Sequence, residues 1–121
     1  MTEADFIAAL RRMPLHPGAR GLVDDSAVLT AAPLVVTTDT LVEGVHFLPH
    51  DPPADVAWKL VATNLSDLAA KGALVEGVLL NYPLGDAAWD RAFLAGLDAV
   101  LTRFQTRLIG GDTVTMRGPG R

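Results

Sequence analysis

Residues Pro53 to Lys71 read as one helix, and the rest of the fold has to be arranged around it. Val61, Leu65 and Leu68 recur at i, i+4 and i+7, the apolar stripe of a helix packed on a core. Asn64, Asp67 and Lys71 repeat at the same spacing on an adjoining stripe. Between Leu60 and Ala70 the only charge is Asp67. A carboxylate in so apolar a helix is expensive to bury unless a positive group meets it. Two partners answer that need: Lys71, at i+4 on the same face, or a metal ion for which Asp67 is a ligand. The metal reading is the sharper, because three other segments also carry aspartates in settings that are neither surface-like nor helical.

A chain of 121 residues, half of them hydrophobic and a fifth charged, is one globular domain with room for a core. Ten Lys and Arg against fourteen Asp and Glu leave a net charge of −4, and no basic patch argues for nucleic acid or an anionic membrane as partner. Eleven of the acids are Asp and three are Glu, an excess that suits caps, turns and oxygen-ligand metal sites. With no cysteine, disulfides, Cys-zinc sites and thiol catalysis are excluded. No apolar run approaches the ~20 residues of a membrane span. The start, Met-Thr-Glu-Ala-Asp, has no basic segment followed by an apolar one, so the expectation is a cytoplasmic protein without a secretory leader.

In chain order, Thr2 is a plausible N-cap for a short helix carrying Phe6, Ile7, Leu10 and Met13, stopped by Pro14. His16 falls in a Pro-Gly loop and reads as solvated. Asp24 and Asp25 precede the short apolar run ending at Leu29; adjacent like charges are tolerable in solvent or beside a cation. Leu34 to Leu41 reads as a buried strand whose polar end, Thr37, Thr38, Asp39 and Thr40, offers hard oxygen ligands of the kind Mg²⁺ prefers. The loop Val42 to Pro49, with His46 and Phe47, is either a substrate lid or a loop that tucks Phe47 into the core. Asp51 is a candidate cap for the central helix, His50 reads as structural or solvated, and Gly72 is the expected stop.

Leu74 to Leu80 reads as a strand, with Gly77 marking a bulge or a close approach by another backbone. Pro83 to Asp86 is a turn, and Asp86 caps a second long helix to about Phe104. Its buried stripe is Trp89, Phe93, Leu97, Val100, Leu101 and Phe104, with Asp90, Arg91, Asp98 and Arg103 mostly outside. A last strand from Arg107 ends in Gly110, Gly111 and Asp112. Glycines let backbone N–H groups approach a phosphate, and the neighbouring Asp could hold its Mg²⁺. The lysine of a Walker A loop is missing. The order is helix, strand, strand, helix, strand, helix, strand: an α+β fold with a mixed β-sheet and helices on one face. The final Met-Arg-Gly-Pro-Gly-Arg stretch reads as part of a connection.

Three segments carry a resemblance: Val36-Thr-Thr-Asp39-Thr-Leu-Val-Glu-Gly-Val-His46-Phe, Asn64-Leu-Ser-Asp67-Leu-Ala-Ala-Lys-Gly-Ala, and Leu108-Ile-Gly-Gly111-Asp112-Thr. In order and spacing the chain resembles the thiamine-monophosphate kinases, within the superfamily that also holds aminoimidazole ribonucleotide synthetase. The resemblance implies ATP-dependent phosphorylation of thiamine monophosphate to thiamine diphosphate. By motif match it implies Asp25, Thr37, Thr38, Asp39, Asp67 and Asp112 as Mg²⁺ ligands. It likewise places Gly111 and Asp112 against the nucleotide phosphates and His46 in the substrate loop. It also implies that residues 1–121 form the N-terminal ATP/Mg²⁺-binding and dimerisation domain, whose sheet pairs with a second copy into a barrel-like core, and that a C-terminal domain absent from this chain completes the sites. Val23 stands where the family usually has glycine.

The expected chemistry is direct in-line transfer without a general base, with the aspartates acting through Mg²⁺ and the chain alone nearly inactive. Three other readings stay open. A sister synthetase or kinase would keep the aspartates but change the His46 loop. A non-catalytic dimerisation module would have no use for Asp67. A purely structural domain would pair Asp67 with Lys71.

Overall fold

The computed structural model describes residues 1–24, 26–30 and 33–121. Within them lie three α-helices and two strands: α1 (Glu3–Leu10), α2 (Pro53–Ala70), β1 (Val78–Leu84), α3 (Ala87–Arg103) and β2 (Leu108–Thr115), with a 3₁₀ segment at Pro17–Leu22.

The helices begin and end where side chains satisfy their orphan backbone groups. Thr2 and Asp5 form a reciprocal capping box, with the Asp5 amide donating to Thr2 Oγ1 at 3.2 Å and the Thr2 amide to Asp5 Oδ2 at 2.8 Å. Asp86 Oδ1 accepts from the Trp89 amide at 2.8 Å and starts α3. At the end of α2, Gly72 takes φ +67 while its amide and that of Ala73 donate to Ala69 and Leu68 carbonyls, the geometry a glycine stop requires. Asp51 does not cap α2: the N-cap is Pro52, without a side-chain bond, and Asp51 Oδ2 instead accepts from the Leu48 amide at 2.7 Å, closing the turn before it.

The sheet is a parallel β1–β2 pair joined through α3, among the described residues, in place of the mixed sheet expected. The register runs from Val78↔Leu108 to Leu84↔Thr115, with an irregularity at Val78/Leu79. The strand starts four residues later than Leu74, and Gly77 shows why. A Cβ there would lie 2.4 Å from Ile109 Cγ1 and 2.8 Å from the Arg107 carbonyl, so the backbone runs too close to β2 for ordinary pairing. Pro83 and Leu84 continue the strand instead of turning, which a proline can do where its missing N–H faces no third strand. Pro14 and His16 add a short rung on the other side of β2, the Leu108 amide donating to Pro14 and the His16 amide to Leu108.

The two apolar runs before α2 form no strand. Leu34, Val35 and Val36 are 45, 51 and 85 % exposed and belong to no strand among the described residues. β-branched residues favour a pleated strand only when a neighbouring edge supplies the ladder.

Inward along β1, Leu80, Tyr82 and Leu84 are buried, and α1 and α3 pack on that face: Phe6 stacks on Tyr82 at 4.5 Å and Phe93 lies 4.6 Å from it. Leu79 and Val114 point away and stay largely exposed. Helices α2 and α3 pack closely at Gly96, where a Cβ would meet the Ala54 Cα at 2.4 Å. Of the expected α3 stripe, Phe93, Leu97, Val100 and Leu101 are buried, Trp89 is half-buried and Phe104 is exposed. Asp90, expected outside, is completely buried. Phe47 is tucked into the core.

Candidate active site

Asp67 sits on the exposed side of the C-terminal part of α2, and Asp39 lies on the extended segment opposite it. The two carboxyl groups lie within reach of a hydrogen bond, which forms only when one of them is protonated. The bond to Asp67, some desolvation and the charge of Asp67 push the Asp39 pKa up, while the charge of a protonated His46 works in the opposite direction. Two aspartates and the loop histidine, separated by 28 residues of sequence between Asp39 and Asp67, thus come to one place. His46 itself is exposed; its Nδ1 accepts from the Val42 amide at 2.9 Å and its carbonyl accepts from Lys59 Nζ. Thr37 is half-buried and Thr38 exposed, two residues and one residue before Asp39. Asp25 lies outside the described residues.

Asp67 does not pair with Lys71. Among the described residues the ion pairs are His16–Glu76, Arg20–Asp24 and Asp90–Arg121. Neither Asp39 nor Asp67 forms an ion pair with a Lys or Arg side chain among the described residues.

Gly110, Gly111 and Asp112 do not end a strand. They lie in the middle of β2, Gly111 opposite Leu80 and Asp112 opposite Asn81. Gly111 has φ +151, and a Cβ on it would lie 1.8 Å from the Leu80 carbonyl oxygen, so only glycine fits this close approach of the two strands. Asp112 is exposed. Beside it opens a cleft of about 250 Å³ between β2, α1 and the loop after the 3₁₀ segment, lined by Glu3, Arg11, Asp24, Gly111, Asp112 and Thr113 among others. Thr113 Oγ1 donates to Glu3 Oε1 at 2.5 Å along its wall.

The predicted ligands therefore fall in two places, the Asp39–Asp67 pair and the Asp112 cleft. Among the described residues no group of three or more His, Asp or Glu side chains gathers closely enough to hold one ion.

Three features escaped the sequence reading. His16 is buried, not solvated: its Nδ1 accepts from the Gly18 amide at 2.8 Å, which leaves Nε2–H to donate to Glu76 Oε1 at 2.5 Å. Asp90 accepts from the Tyr82 hydroxyl and from Arg121 Nη1, each at 2.7 Å, and Arg121 also lies 4.1 Å over the Trp89 ring. Burial, the hydrogen bond and the charge of Asp90 push the Tyr82 pKa far up, so its hydroxyl stays protonated. The spacing of Asp90, Phe93 and Leu97 does place the aspartate on the buried stripe, a signal its charge obscured. Arg11 donates to two carbonyls of the 3₁₀ segment.

Residues 23–121 match the family model described as AIR synthase related protein, N-terminal domain. The chain belongs to that family. It carries the family's N-terminal domain from Val23 onward, and its sequence is similar to those of thiamine-monophosphate kinases. The Caulobacter vibrioides thiamine-monophosphate kinase is 48 % identical over 127 residues, covering 98 % of this chain and 36 % of the relative. The Escherichia coli K12 thiamine-monophosphate kinase is 46 % identical over 104 residues, covering 82 % of this chain and 31 % of the relative. Among solved structures, the Stenotrophomonas maltophilia K279a thiamine-monophosphate kinase superposes with a TM-score of 0.63 at 37 % identity, covering 96 % of this chain and 37 % of that one. AaThiL complexed with AMPPCP and TMP superposes with a TM-score of 0.60 at 32 % identity, covering 69 % of this chain and 28 % of that one. This chain spans about a third of the length of these relatives.

Proposed function

We propose that this chain is the N-terminal half-site of a cytoplasmic, homodimeric thiamine-monophosphate kinase, using ATP and Mg²⁺ to convert thiamine monophosphate to thiamine diphosphate. The observation that carries the reading is the Asp39–Asp67 carboxyl pair with His46 beside it. Two neighbouring carboxyl groups with no Lys or Arg paired to them are poor stabilisers of a fold and good ligands for a hard divalent ion. The donor set is all oxygen, which fits Mg²⁺. Asp39 and Asp67, with Thr37 and Thr38 just before Asp39, and Asp25 and Asp112 as the further carboxylates the motif match assigns, are the residues to hold it. When bound, the ion neutralises and orients the phosphates of the nucleotide.

The remaining chemistry asks little of the chain. The monoester phosphate of the acceptor has its second pKa near 6, so at neutral pH it is already largely dianionic and needs no base. One of its oxygens forms a bond to the γ-phosphorus of ATP as the bridging β–γ P–O bond breaks, and the electron pair leaves on ADP. The chain's part is to fix the two anions in line. Asp112 and the β2 backbone take the nucleotide side and His46 the acceptor side. A C-terminal half of the enzyme, as in the longer relatives, completes both pockets.

The test is calorimetric titration of a non-hydrolysable ATP analogue into this chain with and without Mg²⁺, beside Asp67→Asn. Binding that requires Mg²⁺ and is lost in the variant bears the reading out. Binding that is equal with and without Mg²⁺ and intact in the variant overturns the ligand assignment.

A further inference from the structure

Arg20, Gly21 and Leu22 are three consecutive residues in the left-handed region, with φ of +53, +71 and +54. Only the glycine adopts it readily; an arginine and a leucine there are held against their preference. Two things hold them. Leu22 packs against the core. Arg11, on the residue after α1, donates from Nε to the Gly21 carbonyl at 3.1 Å and from an Nη to the Leu22 carbonyl at 2.8 Å. A guanidinium is the side chain that can grip two successive carbonyls with a fixed fork.

The strained turn feeds directly into the cleft. Arg11, Leu22, Val23 and Asp24 form one wall and Gly110 and Asp112 another. Beyond the turn, Asp24 Oδ1 accepts from the Ser26 amide at 3.1 Å and its Oδ2 pairs with Arg20 Nη1 at 3.3 Å. The Val28 amide then returns to the Gly18 carbonyl at 2.9 Å, closing the loop at its base. Leu22 and Arg11 therefore fix the height and direction at which the acidic loop leaves the core.

We infer that Arg11 is a positioning residue: its two bonds to the strained Arg20–Leu22 turn hold the Asp24 loop over the cleft, so that a carboxylate faces Asp112 across the space taken by a Mg²⁺-nucleotide. This deepens the proposed function and rests on it. Arg11 acts through the backbone it clamps, both of its bonds being to main-chain carbonyls. Nothing in local propensity keeps Arg20 and Leu22 left-handed, so releasing the clamp lets the turn relax and the loop swing from the cleft.

The experiment compares Arg11→Ala and Arg11→Lys with the unchanged chain, below the melting temperature of all three, by two readouts. One is the rate of tryptic cleavage after Arg20, which reports opening of the turn whatever the chain binds. It should rise on the order of tenfold in Arg11→Ala, while cleavage after Arg103 stays unchanged. The other is the Mg²⁺ concentration at half-maximal binding of the non-hydrolysable ATP analogue. It should also rise on the order of tenfold, with Arg11→Lys intermediate because an ammonium restores one bond. A merely structural arginine would lower the melting temperature without moving the Mg²⁺ midpoint. Unchanged cleavage after Arg20 overturns the clamp. Faster cleavage with an unmoved Mg²⁺ midpoint overturns the positioning role. An unchanged chain that binds no Mg²⁺-nucleotide overturns a nucleotide site preformed in this chain and, with it, the positioning role, the cleavage rates still judging the clamp.

Discussion

Two aspartates behave here in opposite ways because of what faces them. Asp90 is buried against a guanidinium, a tyrosine hydroxyl and the Gly85 amide, so its charge is answered on every side. Removing the guanidinium by Arg121→Ala leaves a carboxylate with no exposure and no counter-charge, and about 3–5 kcal/mol of stability is expected to go. Adding Asp90→Asn in that background should recover part of it, because the amide oxygen still accepts from Tyr82. Urea unfolding of the single and double variants checks this, and equal midpoints for the two would sink it. Asp39, by contrast, faces another carboxyl. Its pKa lies above the ordinary 3.8, so the folded state holds that proton more tightly than the unfolded chain. The sign follows: the pair's contribution is complete below the ordinary aspartate range and is lost as pH rises through the raised value. Asp67→Asn removes the opposing charge. In Mg²⁺-free buffer its urea midpoint should therefore match that of the unchanged chain in acid and equal or exceed it near neutrality. Midpoint curves that run parallel across this pH range would show that the pair does not interact.

At the scale of elements, glycines mark where backbones meet. At Gly96 the obstacle to a side chain is the Ala54 backbone of α2, which cannot rotate away. Gly96→Ala should cost about 1–3 kcal/mol by forcing the helices apart. Gly44→Ala, with φ +79 but open space around it, should suffer only the conformational penalty, about 1 kcal/mol. Thermal melts of the two variants rank the effects, and a larger loss at Gly44 would contradict the packing account. The helices were legible in the sequence because their signals are local: the Thr2 and Asp86 caps, the Gly72 stop and the apolar spacing of α3 all lie within the element they define. The strands were less so. β-branched residues at 34–36 satisfy a strand's composition, yet no described edge pairs with them, while Pro83 and Gly111 look like breaks and sit inside strands. Pairing is decided by a partner distant in sequence, and period-two patterning cannot name it. The site divides in the same way. Asp39 and Asp67 stood out because an apolar or β-branched context makes a polar residue conspicuous, whereas His46 came from the family resemblance alone. Asp90 did not, because its neutralising arginine lies 31 residues away.

For the whole molecule, the question is what meets its open apolar side. Leu79 on β1 and Val114 on β2 are 66 and 55 % exposed on the sheet face opposite the helices, and Val36 and Leu74 are exposed at 85 and 97 %. A two-stranded parallel sheet bare on one face is unusual, since parallel strands are normally covered on both. The 34–36 segment, outside any strand among the described residues, adds exposed apolar side chains with two β-branched valines, the composition of a strand. A second copy of the chain can supply both the missing strand edge and the apolar cover, which is the homodimer proposed above. The expected outcome is a dimer by sedimentation at micromolar concentration. Leu79→Lys with Val114→Lys should convert it to a monomer while leaving the α3 core and its circular dichroism intact, because neither side chain contributes to the buried cluster. A chain that sediments as a monomer before any substitution would mean that the bare face is met by something other than its own copy, and the part of the longer relatives that this chain does not span becomes the first candidate.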